Sequence, residues 1–316
     1  MSTGSQRGIL VIHLRSPYVS KASFGIRPVS AKVRQGLRRE VRMRYATHGT
    51  IALIATLSFH VEAEDEQVIL PAADFTARQI TSALFKAKAG ERLDYSNHNL
   101  AYLDLAGLDF KGAKLARSDL YGTDFTGADL KGADLSYTRL NRSVLVRADL
   151  SGADLTGATI FRPNIYSDLA SNLNDAPRFA GANLTGARVV ATLSGADFRG
   201  ANLTNADFTP LEWRPGQRAP STMPRNVLRS CDFSAATMKG ANLKEAILTF
   251  SRFIGADLTG ADLTETDLSM VDFTGAELTG ADLTGADLYG AKLTGVRGFD
   301  TVKGLPSTVN LDKVMH

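Results

Sequence analysis

Cysteine and tryptophan each occur once in this 316-residue sequence, as Cys231 and Trp213. A lone cysteine excludes an intrachain disulfide in any compartment, so stability has to come from packing. Histidine is scarce too. His13, His48, His60, His98 and His316 are scattered, whereas zinc sites need clustered nitrogen or sulfur ligands. No histidine is available to activate Cys231 as a nucleophile, and the thiol occupies a slot that alanine fills elsewhere, so it reads as a buried structural group. No catalytic residue, cofactor or metal site is expected. The apolar run Ile51–Phe59 falls well below the roughly 20 residues that a membrane span needs.

Charge is unevenly distributed. Residues 1–50 hold ten basic side chains against the single acid Glu40, so the formal net charge of +3 belongs to this stretch. A basic flank, a short apolar center and a small-residue site ending at Ala63 have the order of an export signal. Residues 1–63 are therefore read as a basic leader and signal sequence. Met43 is a possible true start, which would make residues 1–42 an over-extended reading frame. A bipartite organelle presequence, or twin-arginine export using Arg38 and Arg39, is the alternative. The expected location is periplasmic or secreted, with no integral membrane domain after signal removal; a cytoplasmic chain is the other option.

An apolar residue recurs at every fifth position, from Tyr95, Leu100 and Leu105 to Ile160 and Ile165, and again from Leu228 and Phe233 to Leu293. Two residues before each stands a small one, usually Ala; Asp or Asn comes between, and Thr-Gly often follows. A period of five fits neither the 3.6 of a helix nor the 2.0 of a strand, so the chain must turn every five residues.

The segments GADLTGADL (255–263), GAELTGADLTGADL (275–288) and GTDFTGADLKGADL (122–135) resemble pentapeptide-repeat proteins. The resemblance covers about 95–293 and implies an all-β solenoid, a right-handed quadrilateral β-helix in which four pentapeptides make one coil. The large residue and the small one two before it would then point inward, and residue i would lie over i+20. Phe125 would stack with Leu145 and Ile165, and Phe253 with Phe273 and Leu293.

The repeat is expected to span 93–297, with irregular segments at 164–178 and 209–227. Steps of fourteen residues from Ile165 to Phe179, and of four from Val189 to Leu193, imply a bulged loop and a one-residue tightening. The tube should continue across both, although a hinge between two solenoids is an alternative. Residues 209–227 contain four prolines and place Trp213 beside Arg214, Arg218 and Arg225. A projecting loop is favored over a degenerate coil, which would bury Arg218 without a partner. These four residues form the possible partner contact. In the N-terminal segment 64–92, residues 76–89 read as a short capping helix started by Thr76 and ended by Gly90, with Ile80, Leu84 and Phe85 on one side. At the other end, 298–316 should form a cap and tail, with Phe299 as plug and 306–316 loose.

The expected function is a non-enzymatic rigid scaffold or protein-binding module of the cell envelope, monomeric or weakly dimeric. Its partner would be another protein or an envelope component, and no nucleic acid is expected. The alternative, drawn from the resemblance, is a DNA-mimicking binder that protects or inhibits a type II topoisomerase. Basic residues such as Lys111, Lys131, Arg139, Arg142 and Arg147 interrupt the acidic rows that mimicry requires.

Overall fold

Each five-residue unit closes on a β-turn. In the unit at Leu130, Ala133 N donates to Leu130 O at 3.0 Å, and Gly132 between them has φ +60°. A type II turn requires a positive φ at its third residue, which glycine adopts without steric cost. This explains the glycine two places after the apolar center. The carboxylate of the preceding aspartate closes the corner from outside: Asp154 Oδ1 accepts from Thr156 N at 3.0 Å and from the Thr156 hydroxyl at 2.6 Å, and Asp257 and Thr259 repeat the pattern. Such Asx turns account for Ala-Asp-Leu-Thr-Gly more directly than solvation of the walls does.

The computed structural model describes residues 72–167, 172–210 and 225–315. The leader 1–63 and the residues Trp213, Arg214 and Arg218 lie outside them. All described residues fall in one compact unit, Gln67–His316. Parallel bridges join positions twenty apart, as in Asp94↔Lys114, Asn99↔Asp119, Asp104↔Asp124 and Asp109↔Asp129. Each coil therefore has four sides, numbered here by those four starting residues. Along the second side, ten successive coils are marked by Asn99, Asp119, Arg139, Thr159, Arg188, Asp207, Asn242, Asp262, Asp282 and Lys303. Adjacent coils lie at strand spacing, about 4.8 Å. The central Leu and Phe residues and the small residues two before them fill the interior, nearly all fully buried.

The ladder absorbs both phase slips. Asp149 pairs with Arg178 and Asp154 with Asn183, 29 residues apart, so the segment between Ile165 and Arg178 adds nine residues at one corner. The next coil is one residue short: Arg178↔Asp197 and Arg188↔Asp207 are separated by 19. Its reduced side includes β2 (Arg188–Val190), which pairs in parallel with β1 (Thr159–Phe161). Thr192 then pairs with Val227 and Asp197 with Asp232, a spacing of 35. The choice between a projecting loop and a degenerate coil for 209–227 turns on residues 211–224, which lie outside the described residues. Among the described residues the register passes from Asp207 on the second side to Val227 on the third.

The ends differ from expectation in three respects. Helix α1 (Ala77–Lys86) starts at Thr76 with a reciprocal capping box to Gln79, and Ile80 and Leu84 join the core. Phe85 does not; it is 88% exposed. The helix stops before Gly90, with Ala87 as its C-cap, and Lys111 Nζ donates to the end carbonyls of Leu84 (2.9 Å) and Ala87 (3.0 Å). At the C-terminus the expectation that 306–316 are loose is corrected for residues up to Met315. Asp282↔Lys303, Asp287↔Val309 and Lys292↔Met315 add a last coil whose sides take six residues. Gly298, Gly304 and Asn310 precede short 3₁₀ turns at Phe299–Thr301, Leu305–Ser307 and Leu311–Lys313, and Phe299, Leu305 and Leu311 pack on the core.

Several corners carry a bulky side chain in the left-handed conformation, lying over a glycine one coil on. Tyr137 has φ +57°, and a Cβ added at Gly157 would come within 2.6 Å of its ring, whereas one at Gly152 would meet nothing within 4 Å. Both glycines have positive φ. Gly152→Ala should therefore show only the left-handed penalty of about 1–2 kcal/mol. Gly157→Ala should lose about 1–2 kcal/mol more as the ring is displaced from its packing. Urea titration of the two variants checks the difference.

Candidate functional site

The edge between the second and third sides carries the last described residues before 211–224 and the first after them. On the entering side Arg188 holds the wall: its guanidinium faces Asp207 at 3.0 Å, and it donates to Asp207 O at 3.2 Å and Pro210 O at 3.4 Å. On the returning side Asn226 is fully buried. Its side-chain oxygen accepts from Ala191 N at 2.8 Å, and its amide donates to Val189 O at 3.1 Å and to Phe208 O. These groups border the short side, so Asn226 supplies hydrogen bonds that the missing residue cannot.

Of the four sequence-predicted contact residues, Arg225 alone is described. It stands exposed next to Asn226, with Nε 3.9 Å from Glu245 Oε2. Sequence reasoning noted Arg139 and Arg142 only as breaks in the acidic rows and did not place them, Arg162 or Arg188 on this edge. Arg139 covers the Tyr121 ring at 4.8 Å and pairs with Asp119, and Arg188 lies 5.9 Å from the Phe161 ring center. Arg142 and Arg162 occupy the corner one coil apart, at φ +57° and +51°. Both are exposed, and neither side chain has a hydrogen bond or ion pair among the described residues.

Outside this edge, several titratable groups are held within the coils. Cys231 is fully buried, burial pushes its thiol up to about 12, and Sγ donates to Leu193 O at 3.1 Å. His98 sits at the tube's start, 3.0 Å from Asp74 and edge-on to Phe75. Among the described residues no three His, Cys, Asp or Glu side chains are grouped to hold a metal, and no helix is long and apolar enough to cross a membrane. Burial pushes the Asp149 carboxyl up, but hydrogen bonds from Ser151, Arg178 and Lys131 outweigh it and hold it well below the usual range. A lowered folded pKa stabilizes above the unfolded value of about 3.9, and this stabilization is lost as pH falls. The stability gap between wild type and Asp149→Asn, largest near neutrality, should shrink in denaturation curves taken below about pH 4.

Residues 99–132, 124–160, 191–209, 227–264 and 256–295 match the family described as Pentapeptide repeats, in eight copies. The chain belongs to the pentapeptide-repeat family. Its coils form the right-handed β-helix of that family. Among solved pentapeptide-repeat structures, it is similar to HetL, involved in heterocyst differentiation regulation in the cyanobacterium Nostoc sp. strain PCC 7120. The identity is 25%, over 77% of this chain and 100% of that one, with a TM-score of 0.23. A pentapeptide repeat protein from the Arabidopsis thaliana thylakoid lumen is 35% identical over 32% of this chain, TM-score 0.25; the match spans 63% of that protein's length. QnrB1, a plasmid-mediated fluoroquinolone resistance protein, is 21% identical over 67% of this chain and 89% of that one, TM-score 0.26. A search of curated proteins returned no match.

Proposed function

We propose that this pentapeptide-repeat chain is a non-enzymatic, rigid quadrilateral scaffold of the cell envelope. In this reading α1 plugs its first coil, and it binds another protein at the edge where residues 209–227 leave the wall. The observation that carries this reading is the construction of the exit: Arg188 and Asn226 anchor both ends of the segment, and Arg142 and Arg162 project beside it. A rigid wall presents such side chains with little ordering cost on binding. The DNA-mimicking alternative asks for a continuous run of negative charge, with one charge per about 1.7 Å of duplex axis. An edge that carries arginines before the exit fits that requirement poorly.

Two measurements test the proposal. Mass spectrometry of the protein from fractionated cells should find a mature chain starting near Glu64 outside the cytoplasm; an intact cytoplasmic chain would remove the envelope from the reading. Trp213→Ala combined with Arg225→Ala should weaken cross-linking to a captured partner at least tenfold. Unchanged capture would show that this edge is not the contact.

A further inference from the structure

The edge between the third and fourth sides is apolar in the C-terminal coils. Phe250, Met270 and Tyr289 follow Ile247, Asp267 and Asp287 of the third side, in the seventh, eighth and ninth coils. They are 62%, 44% and 54% exposed, whereas most large apolar side chains of the coils face the interior. Phe250 and Met270 stand at φ +62° and +59°, a left-handed conformation that costs a bulky residue and that glycine adopts freely. The other corners of these coils carry glycine or glutamate at this position, as at Gly260, Glu265 and Gly275. Met270 lies over Gly290 of the next coil, where an added Cβ would come within 2.5 Å of its sulfur. Val309 and Met315, exposed on the third and fourth sides of the tenth coil, extend the apolar surface. This ridge is one full side removed from the edge that borders 211–224.

We propose that two copies of this chain pair antiparallel along this ridge, about a two-fold axis at the eighth coil. Met270 of each copy then meets its twin, and Phe250 meets Tyr289 of the other copy. The order aromatic, methionine, aromatic reads the same from both ends, which is the self-complementarity that an isologous contact requires. Aromatic and methionine side chains are also the types enriched where proteins touch. Both copies repeat at the same strand spacing of about 4.8 Å, so these side chains meet in register without bending either tube. The nine-residue insertion between Ile165 and Arg178 arises at the same corner in the fourth coil, and its Leu173 rests over Gly195 in the fifth. A parallel pair would bring the two insertions together. The antiparallel axis instead carries each insertion past the tenth coil of the other copy, because four coils before the eighth maps to four coils after it. The edge between the second and third sides stays free in both copies, so capture of another protein there is measured separately.

The test is the mass of the full chain by sedimentation equilibrium at about 100 µM, since a contact of a few side chains belongs with the weak, small interfaces. The wild type is expected to dimerize at least as tightly at about 0.5 M salt as at about 50 mM: Asp267 of each copy stands at the height of the axis, and screening relieves its repulsion. Phe250→Ser with Tyr289→Ser should weaken dimerization at least tenfold. Ser230 and Ser269 already occupy the equivalent corner positions, so serine keeps the backbone, which circular dichroism verifies. Register is read by disulfide formation with diamide in a Cys231→Ala background. Met270→Cys should cross-link, because equivalent residues meet at the axis. Phe250→Cys should not, since its twin stands two coils away, about 9.6 Å along the tube, beyond the roughly 4.4–6.8 Å that a disulfide spans between Cα atoms. A wild type that is monomeric at this concentration overturns the proposal, as does a dimer that salt dissociates or that the serine variant leaves unchanged. So does Phe250→Cys cross-linking as strongly as Met270→Cys, or neither cross-linking at all.

Discussion

Phe233→Ala is expected to lower the unfolding free energy by about 3–5 kcal/mol, the range for emptying a large aromatic site in a packed core. Phe233 is fully buried at the middle of a column of five rings. Phe179, Phe198, Phe233 and Phe253 follow one another at centroid spacings of 4.8 Å, and Phe273 follows at 5.3 Å. Their planes stay within 25° of parallel because each coil is nearly a translation of the one before. Removing the central ring deletes contacts above and below it, and the backbone ladder keeps the neighboring coils from closing the gap. Urea titration followed by circular dichroism measures the loss. A change below about 1 kcal/mol would mean that the column collapses freely, contrary to the rigidity assigned to the tube.

Asn226→Ala should cost about 3 kcal/mol or more, because it removes the side-chain partner of three backbone groups at the short side and each buried unsatisfied group costs about 1–3 kcal/mol. The three groups are Ala191 N, Val189 O and Phe208 O. Asn202→Ala is the control: Asn202 stands exposed on the first side, and its Oδ1 accepts only from its own Asx turn, Thr204 N at 3.1 Å and the Thr204 hydroxyl. That change should stay within about 1 kcal/mol. Hydrogen exchange at the Ala191 amide separates the explanations. Exchange should accelerate in Asn226→Ala and remain slow in Asn202→Ala; equal protection in both would show that Asn226 does not hold the short side.

How far each feature could be read in advance depended on whether it was periodic. The inward rows, the pairing of Phe253 with Phe273 and the buried slot of Cys231 follow from spacing alone, because a five-residue turn repeated four times returns every side chain to the same wall. The six-residue closing coil was also periodic, in Phe299, Leu305 and Leu311, but the change of period hid it. Asn226 stands two before Leu228, in the inward slot that Ala usually fills, so the repeat marked it as a buried polar group but did not show its partners. Those partners, Val189 and Phe208, come within reach of its amide only through the coil register.

The amino-acid sequence by itself determined the cross-section of this protein: which residues face inward, where the chain turns, and why Asp, Thr and Gly occupy the corners. Those choices are local, made within five residues by turn geometry and burial. The tertiary structure alone decided how the coils register across spacings of 29, 19 and 35 residues, and hence which distant side chains share a column or an edge. Registry is a sum of insertions and deletions along the chain. The five-ring column and the place of Asn226 exist only once that sum has been taken in three dimensions.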